Sequence, residues 1–316
     1  MALIPRIVLY HDVCSDPGDA VRGLGVSTPV ELFREHIEWF CEHYTPISLA
    51  QLRSGELDLI ATRKRPPLLI TFDDCYRSVP RVAGPILKKL GVPALFFVNS
   101  APIVDRRPLL DNLLCLIAAC RGLRTASSFV APDSAPAETI GELVGARVSG
   151  LSYGSRQSLI DRLVGAAAIA EARAIMDSDV YCDLQDLAAC KDYGIDLGNH
   201  THSHPHMRCL DAADFDLEIG TPGKLVHTEL SGYADAFSVP YGSREDATPA
   251  ILDSLDRQGV RDVFLVHSVR NRAAPTAGAW YRTSLVRDPV SSLRKRIEWL
   301  PRIRQCRDAI RKGAHR

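Results

Sequence analysis

Short apolar runs alternate with polar and helix-forming stretches along the chain. The clearest run, Leu69–Phe72, leads directly into two adjacent carboxylates, Asp73 and Asp74. An apolar run of this length is typical of a strand that is buried on both faces of a parallel sheet. Because the sheet buries the apolar residues, we expect both carboxylates at the carboxyl end of the strand, where barrel enzymes place their chemistry.

The two carboxylates are candidates for different roles. Neighbouring residues of a strand point to opposite sides, so one carboxylate can hold a metal ion while the other moves a proton. The alternative interpretation of Asp73 and Asp74 is a strand that ends in an ordinary polar loop. The pair alone does not decide between the two interpretations.

A second polar segment, residues 198–206, is rich in histidine. It holds four of the ten histidines of the chain, at every second position: His200, His202, His204 and His206. A helical turn would bring together the first and third, and the second and fourth. An extended segment would line up all four, although Pro205 argues against a long strand. Imidazole with a carboxylate is a ligand set for Zn, Co, Ni or Fe; a solvated loop and an adventitious metal site are the alternatives.

Three motifs, in this order along the chain, resemble those of one protein family. Thr71–Asp74 and His200–His204 resemble the first two motifs of the polysaccharide deacetylases, that is, the NodB homology domain of carbohydrate esterase family four. Phe237–Gly242 resembles the Pro-Tyr-Gly motif of the family, and residues 85–98 resemble its first helix and second strand. The resemblance implies an α/β fold, a distorted (β/α) barrel of the NodB type with a helical insertion.

The resemblance also suggests how the chain is divided. It spans roughly residues 4–290, with a gap near residues 100–180. We therefore predict a metal-dependent deacetylase barrel over residues 1–290 that carries a helical insertion at about 101–180. Insertions in barrel enzymes lie on loops, and loops at the catalytic face shape specificity, so we expect the insertion to cap the groove.

The insertion has its own pattern. Helical spacing over residues 109–117 and 156–172 predicts two helices. The Ser-, Pro- and Ala-rich residues 127–136 between them predict a loop. Asp111 is expected to be an ordinary exposed residue, with contact to the substrate as the alternative.

The resemblance implies a role for each matching residue. Asp74, His200 and His204 would bind one divalent metal ion, with Zn²⁺ expected first and Co, Ni or Fe as alternatives. Asp73 would be the general base that activates a water molecule. The backbone N–H of Tyr241 would stabilise the oxyanion of the tetrahedral intermediate.

Several neighbours of these residues have no ligand role in the family. We expect His202 and His206 to line the groove or to support the ligands. Thr201 is expected to orient a ligand or the substrate. Pro240 belongs to the third motif and is expected beside the substrate.

The general acid that protonates the leaving amine has two candidates. The common family layout supplies a histidine from a Leu-x-x-His motif near the C-terminus, and Leu265–His267 fits the local pattern. His267, however, follows Tyr241 by only about 26 residues. His11, in Leu9–Asp12, resembles the equivalent motif of the circularly permuted branch, which includes the poly-N-acetylglucosamine deacetylases and in which this motif opens the domain. We favour His11.

Two positions depart from the family pattern. Ser238 stands where the family often has an arginine that holds the catalytic aspartate. Arg282 could do the same work from another strand, and a surface or ion-pair arginine is the favoured alternative. Cys75 stands where the family usually has glycine, which permits tight backbone geometry; it is either an extra soft ligand or, as we favour, inert packing.

Composition narrows the choice of partner and compartment. The chain has 38 basic and 38 acidic residues, so it offers no global case for nucleic-acid binding. Its nine cysteines are scattered and contain no C-x-x-C pair, which suits reduced thiols in a cytoplasmic enzyme. Residues 1–6 lead directly into the first apolar run without the pattern of a signal peptide. We therefore expect a cytoplasmic protein.

A cytoplasmic location changes the expected substrate. We expect removal of an N-acetyl group from an amino sugar in a glycan, a lipid-linked sugar or a small precursor. The alternatives are a deformylase, an amidase for non-sugar substrates, and an inactive, metal-free member that only binds a glycan.

Residues 291–316 form a predicted basic amphipathic tail. Residues 293–316 contain nine basic and two acidic residues together with Trp299. This composition favours peripheral contact with an anionic membrane. The equally weighted alternative is a charged helix that packs its apolar edge on the barrel. Pro301 predicts a break into two short helices.

Overall fold

A closed parallel barrel forms the centre of the molecule. The computed structural model describes residues 3–164, 169–267, 269, 271 and 279–304. The strands of this part are β1 (Arg6–Tyr10), β2 (Asp12–Val13), β3 (Ser27–Thr28), β4 (Thr45–Pro46), β5 (Pro67–Phe72), β6 (Ala94–Val98), β7 (Ile195–Asn199), β8 (Tyr233–Ser238), β9 (Asp262–Val266) and β10 (Ala279–Ser284). Seven of them pair in the order β1-β5-β6-β7-β8-β9-β10, and β10 pairs back with β1. All these pairs are parallel. The predicted (β/α) barrel is confirmed.

Helices surround the barrel and fill the long connections. They are α1 (Asp19–Arg22), α2 (Val30–His43), α3 (Leu49–Ser54), α4 (Leu57–Ile60), α5 (Gly84–Leu90), α6 (Ala101–Val104), α7 (Leu110–Arg121), α8 (Leu123–Val130), α9 (Ile140–Glu142), α10 (Tyr153–Val164), α11 (Ala170–Met176), α12 (Leu184–Ala189), α13 (Ala212–Phe215), α14 (Thr221–Lys224), α15 (Pro249–Arg257) and α16 (Val290–Arg294). Turns of π-helix extend several of them, at Val79–Ala83, Leu143–Arg147, Asp216–Gly220, Leu225–Glu229 and Lys295–Trp299.

Alternate residues of the barrel strands face the interior and the surrounding helices, as the period of two requires. One buried cluster collects side chains from strands all around the barrel: Ile7, Leu69, Leu95, Phe97, Ala236, Phe264 and Trp280. Their neighbours Val8, Ile70 and Phe96 pack instead with residues of α2 and α5. Full burial of one such side chain contributes roughly 1.5–3 kcal/mol. The apolar side chains fill the barrel interior, and the polar side chains of the three sequence motifs follow the strands at the carboxyl end.

The first strand closes the barrel next to the carboxylate strand. β1 lies between β5 and β10, with Tyr10 opposite Phe72 and Leu9 opposite Ser284. The N–H of Asp73 donates to the carbonyl of Tyr10 at 3.2 Å. The residue that follows β1, His11, is therefore brought to the same rim as the residues that follow β5.

The connection between β6 and β7 holds the helical insertion. Helices α7, α8, α10 and α11 share a hydrophobic cluster of their own, which includes Leu113, Ile117 and Leu159. The loop predicted over residues 127–136 is partly wrong, because α8 continues to Val130. Its apolar residues, among them the fully buried Ala126, pack on α7 and favour the helix.

The C-terminal helix packs on the barrel. Leu293 and Ile297 are buried in the main core cluster, and Arg6 of β1 forms a bidentate ion pair with Glu298 at 2.8 Å. The predicted break at Pro301 is wrong, since the chain stays helical to residue 304. The π-helical turn before Pro301 shifts the hydrogen-bond pattern and accommodates the ring. Among the described residues, we find no helix with the length and apolarity needed to cross a membrane.

Candidate active site

The carboxyl end of the barrel contains a cavity of about 260 Å³. Five sequence-predicted residues line it, and each follows a barrel strand: His11, Asp73, Asp74, His200 and Tyr241 follow β1, β5, β5, β7 and β8. His204 also lines the cavity. The structure therefore brings together the residues of all three sequence motifs.

Asp74, His200 and His204 converge on one point. The Nε2 atoms of His200 and His204 lie 3.3 and 3.4 Å from Asp74 Oδ1, and one ligand atom from each residue lies within 4.8 Å of the others. Asp74 Oδ1 is buried and accepts no hydrogen bond. Burial raises the pKa of Asp74, but His204, His200 and His11 outweigh it and lower that pKa well below its usual range. An orphaned carboxylate oxygen facing two imidazole nitrogens fits a divalent cation.

The hydrogen bond of His200 fixes which of its nitrogens faces this point. His200 Nδ1 lies 2.8 Å from the carbonyl oxygen of Ser238, which can only accept. Nδ1 must therefore carry the proton, and in the neutral ring the lone pair is on Nε2. That tautomer is the one a metal ligand needs.

Strained backbone is concentrated at this rim. Among the described residues, seven other than glycine have a positive φ: Asp74, Cys75, Arg106, Thr201, His204, Ser231 and Tyr241. Five of these are sequence-predicted site residues. Left-handed conformations cost free energy in such residues and persist where the surrounding structure enforces them, often at functional sites.

Asp73 is held by an arginine that is fully buried. Arg282 of β10 donates to both carboxylate oxygens of Asp73, at 2.8 and 2.7 Å, and the hydroxyl of Ser238 donates to the same carboxylate at 3.0 Å. Of the favoured alternative, a surface or ion-pair arginine, the surface position is wrong; the ion pair that Arg282 forms is with Asp73 itself. Burial raises the pKa of Asp73, but Arg282 and His200 outweigh it and lower that pKa. Asp73 stays an ionised carboxylate.

The two general-acid candidates lie in different surroundings. His11 lines the cavity with Asp73 and Asp74, and its Nδ1 is buried without a hydrogen-bond partner. Burial lowers the pKa of His11, opposed by the charges of Asp74 and Asp73. His267 is not among the residues that line the cavity, and its ring lies edge-on to Tyr281. The geometry favours His11.

Tyr241 lies in a tight turn. Its φ is 58°, and the following Gly242 has a φ of +64° with no room for a side chain, because a Cβ there would lie 2.4 Å from the backbone nitrogen of Val266. The Tyr241 ring stacks on His206 at 3.9 Å between centroids. Pro240 is buried at the start of the turn.

His202 and His206 do not line the cavity, contrary to one of the two expectations for them. His202 is bonded through Nδ1 to Ser100 Oγ at 2.8 Å and through Nε2 to Asp105 at 2.9 Å. His206 Nδ1 donates to Asp246 at 2.8 Å. The histidine loop is thus neither one helical face nor one extended face, because its strained residues turn alternate histidines in different directions.

The remaining predicted residues support the rim. The hydroxyl of Thr201 accepts from the N–H of His204 at 3.0 Å, which ties the ligand loop together. Cys75 is fully buried in the main core cluster with Cys182 and Cys190 and lies outside the group that could hold a metal. Packing, and not metal binding, is its observed environment.

The insertion brings two charged residues to the site: Asp111, for which substrate contact was only the alternative expectation, and Arg156, which sequence reasoning missed. Asp111 of α7 is buried and lines the cavity, so its expected exposure is wrong. Arg156 of α10 is buried and donates to the carbonyls of Ser203 and His204 at 2.8 and 3.1 Å. Neither residue belongs to a motif, and an acidic or basic residue on an amphipathic helix is normally exposed. No signal in the sequence predicts that they are buried.

Comparisons with known proteins agree with this architecture. The sequence profile of the family described as Polysaccharide deacetylase matches residues 61–119 and 163–261, together half of the chain. The Bacillus subtilis protein YxkH, named as a "putative polysaccharide deacetylase", is 29% identical over 110 residues, which are 34% of this chain and 36% of YxkH. The alignment thus spans about a third of that curated relative.

Two solved structures share the fold across most of the chain. The Streptococcus pyogenes deacetylase PplD, solved with acetate, superposes with a TM-score of 0.60 at 15% identity, over 94% of this chain and 100% of that chain. IcaB from Ammonifex degensii superposes with a TM-score of 0.56 at 16% identity, over 95% and 97% of the two chains. At these identities the likeness shows the fold alone.

The seven-stranded parallel barrel, with carboxylates and histidines at its carboxyl end, defines the NodB class of α/β barrel. The family profile matches half of the sequence, including the Asp-Asp and histidine motifs. The chain belongs to the polysaccharide deacetylase family. Its assignment to the circularly permuted branch stays a prediction.

Proposed function

We propose that this protein is a metal-dependent hydrolase that removes an N-acetyl group from an amino sugar. The observation that carries the proposal is the convergence of His200 and His204 on Asp74, 3.3 and 3.4 Å away, beside a carboxylate held ionised by Arg282. Two imidazoles and one carboxylate form a common ligand set of catalytic zinc, which leaves a position open. Zn²⁺ is our first choice of metal.

The protein's own groups divide the chemistry between them. A bound divalent ion would supply polarisation of the acyl carbonyl and a water of lowered pKa. Asp73 would accept a proton from the attacking water, since its carboxylate stays ionised next to Arg282. Arg282 and Ser238 fix the direction of that carboxylate, which limits the geometries from which it can take the proton.

His11 is the group that we propose as the proton donor to the leaving amine. His11 lines the cavity and follows β1, whereas His204 and Tyr241 come after β7 and β8, on the opposite side of the ring of barrel strands. The N–H of Tyr241 is proposed to stabilise the developing oxyanion, a contribution of roughly 2.7–4 kcal/mol for one such donor in other enzymes. The turn at Gly242 fixes the direction of this N–H.

The cavity supports a small substrate unit. Its volume of about 260 Å³ lies just below the usual range for ligand pockets, roughly 300–1,000 Å³. Apolar side chains from the segment after α1 and from the insertion form part of its lining: Leu24, Val26, Leu109 and Val144. This size suits a single sugar residue, such as a precursor or the end of a lipid-linked glycan, in a cytoplasmic enzyme.

Acetate release tests the proposed reaction. Free, nucleotide-linked and lipid-linked N-acetyl amino sugars should be incubated with the zinc-loaded protein, with the matching N-formyl sugars and non-sugar amides in parallel. We expect acetate from at least one N-acetyl sugar, and loss of that activity after chelation with recovery when zinc is restored. Release from the formyl or non-sugar amides alone would contradict the proposed substrate, and turnover that survives complete metal removal would contradict the metal.

Peripheral membrane contact through residues 293–316, of which 305–316 lie outside the described residues, stays a proposal. Leu293 and Ile297 are used in packing on the barrel, but Trp299 and Ile303 are 56% and 49% exposed. Their joint replacement, Trp299→Ser with Ile303→Ser, should reduce flotation with anionic vesicles. Leu217→Ser, which removes an equally exposed residue from another helix, is the control. Equal flotation of both variants and the wild type would contradict this contact.

A further inference from the structure

We propose that Asp111, which the insertion helix α7 carries, is a positioning residue for His204 and Tyr241, so that the insertion is part of the metal centre and more than a cap. This inference rests on the proposed function. It concerns a carboxylate that no family motif includes and that the sequence favoured as an exposed residue.

One oxygen of Asp111 faces both residues. Its Oδ2 accepts a hydrogen bond from the hydroxyl of Tyr241 at 2.8 Å and lies 3.5 Å from His204 Nδ1. The second distance is longer than a good hydrogen bond. However, His204 Nδ1 is buried and has no hydrogen-bond partner, and the other oxygen of Asp111 is also buried without one. His204 Nδ1 thus lies a few tenths of an ångström beyond hydrogen-bond distance of Asp111 Oδ2, and a small shift of the ring would let this nitrogen donate to the carboxylate.

The two histidine ligands are supported by different parts of the chain. His200 is oriented by the barrel itself, through the carbonyl of Ser238 at 2.8 Å. His204 has no such backbone acceptor for Nδ1, and the nearest carboxylate is Asp111. A metal-binding histidine usually donates its second ring N–H to a carboxylate or a carbonyl, which fixes the tautomer and the ring orientation. The insertion therefore supplies for His204 what β8 supplies for His200.

A buried arginine balances the charge of this carboxylate. Arg156 Nη1 of α10 lies 4.0 Å from Asp111 Oδ1, and both side chains are buried. The Nη2 of Arg156 also holds the carbonyls of Ser203 and His204. The insertion thus contacts the backbone and the ring of His204, and also the backbone of the preceding Ser203. Asp111 can stay ionised in this cavity without facing solvent.

The metal affinity of Asp111→Asn tests the proposal. Zinc dissociation constants should be measured by competition with a chromophoric chelator for the wild type, Asp111→Asn and Asp105→Asn. Asp105 is the matched control, since it is also an insertion carboxylate on a loop histidine, but its partner His202 is not a candidate ligand. We expect Asp111→Asn to weaken zinc binding about 10- to 100-fold, as is usual for such supporting groups, and Asp105→Asn to leave it unchanged.

Asp111→Ala provides a second measurement if the asparagine variant does not keep the wild-type circular dichroism in its metal-free form. It removes the carboxylate without placing a new amide donor beside His204, and the same loss of affinity is expected. Wild-type zinc affinity in a folded Asp111 variant would overturn the inference and leave the proposed function intact. Equal losses in the Asp111 and Asp105 variants would also overturn it, because they would show a general effect on the loop. A wild-type protein that binds no zinc would instead overturn the proposed function and this inference with it.

Discussion

Arg282 and Asp73 form a bidentate ion pair in the barrel interior, although 209 positions separate them in the chain. The arginine side chain is fully buried, and the two hydrogen bonds measure 2.8 and 2.7 Å. The pair connects β10 to the carboxyl end of β5, across the point where β1 closes the barrel. One interaction therefore links the closure of the fold to the orientation of the proposed base.

Removal of the arginine should affect both stability and the pH dependence of activity. Arg282→Met leaves a buried carboxylate unpaired, which costs about 3–5 kcal/mol in other proteins. Arg282 lowers the pKa of Asp73, so its loss should raise that pKa. Asp73 acts as a base only when it is ionised. The pH below which activity falls should therefore be higher in Arg282→Met than in the wild type. Urea unfolding and the pH dependence of kcat/KM measure the two effects.

The stability effect has its own dependence on pH. A lowered folded-state pKa stabilises the protein above the unfolded-state pKa of the aspartate, and this stability is lost as the pH falls through the folded-state value. The difference in unfolding free energy between wild type and Arg282→Met should therefore shrink under acid conditions. A difference that stays constant from neutral to acid pH would contradict the role of this pair.

Asp73 and His200 should give different phenotypes. Asp73→Asn should keep the metal and reduce kcat about 10²- to 10⁴-fold, the usual contribution of a general base. His200→Ala should lose the metal itself. Metal analysis after gel filtration, together with kcat, distinguishes the two variants. A near-wild-type rate in Asp73→Asn would show that another group is the base.

The choice of general acid predicts a contrast between two histidines. His11 lines the cavity and His267 does not, so His11→Ala should reduce kcat about 10²- to 10⁴-fold, while His267→Ala should retain most of the activity. Both variants should be assayed at one pH with the same metal content. The larger loss in His267→Ala would reverse the assignment.

The turn that carries Tyr241 predicts a contrast between two glycines. Gly242 and Gly259 both have a positive φ, but a Cβ would clash with the backbone of Val266 only at Gly242. Gly242→Ala should displace Tyr241 and lose most activity, whereas Gly259→Ala should cost about 1 kcal/mol of stability from backbone strain alone and keep its activity. Thermal unfolding measures the effect of backbone strain on stability, and kcat measures the effect of displacing Tyr241. Equal activity of the two variants would show that the position of Tyr241 is not critical.

The site residues that could be predicted from the sequence have one structural feature in common. Asp73, Asp74, His200 and Tyr241 each follow a short apolar strand, and in a parallel barrel the carboxyl ends of the strands meet at one rim. The apolar runs therefore predicted buried parallel strands that end in polar site residues, and the family resemblance supplied the barrel. The family motifs then assigned the roles, which spacing alone could not do.

The remaining parts depend on tertiary contacts that leave no local pattern. The partner of Arg282 is set by barrel closure, and Asp111 reaches the cavity only because the insertion folds back over the rim. The loop signal failed at residues 127–130 and the helix-breaker signal failed at Pro301, where packing on α7 and a π-helical turn outweighed these local preferences. The charge pattern also could not decide whether the tail packs on the barrel or contacts a membrane. The apolar residues that pack on the barrel and those that face solvent lie on the same short helix.

The most direct test of the account is the zinc content of the wild type and of His204→Ala, measured with acetate release on the same samples. His227→Ala is the control, since His227 is an exposed histidine that is not among the residues lining the cavity. The account predicts one zinc ion per chain and acetate release in the wild type and in His227→Ala, and the loss of both in a folded His204→Ala. A wild-type protein that binds no divalent metal, or a His204→Ala variant that keeps both metal and activity, would contradict it.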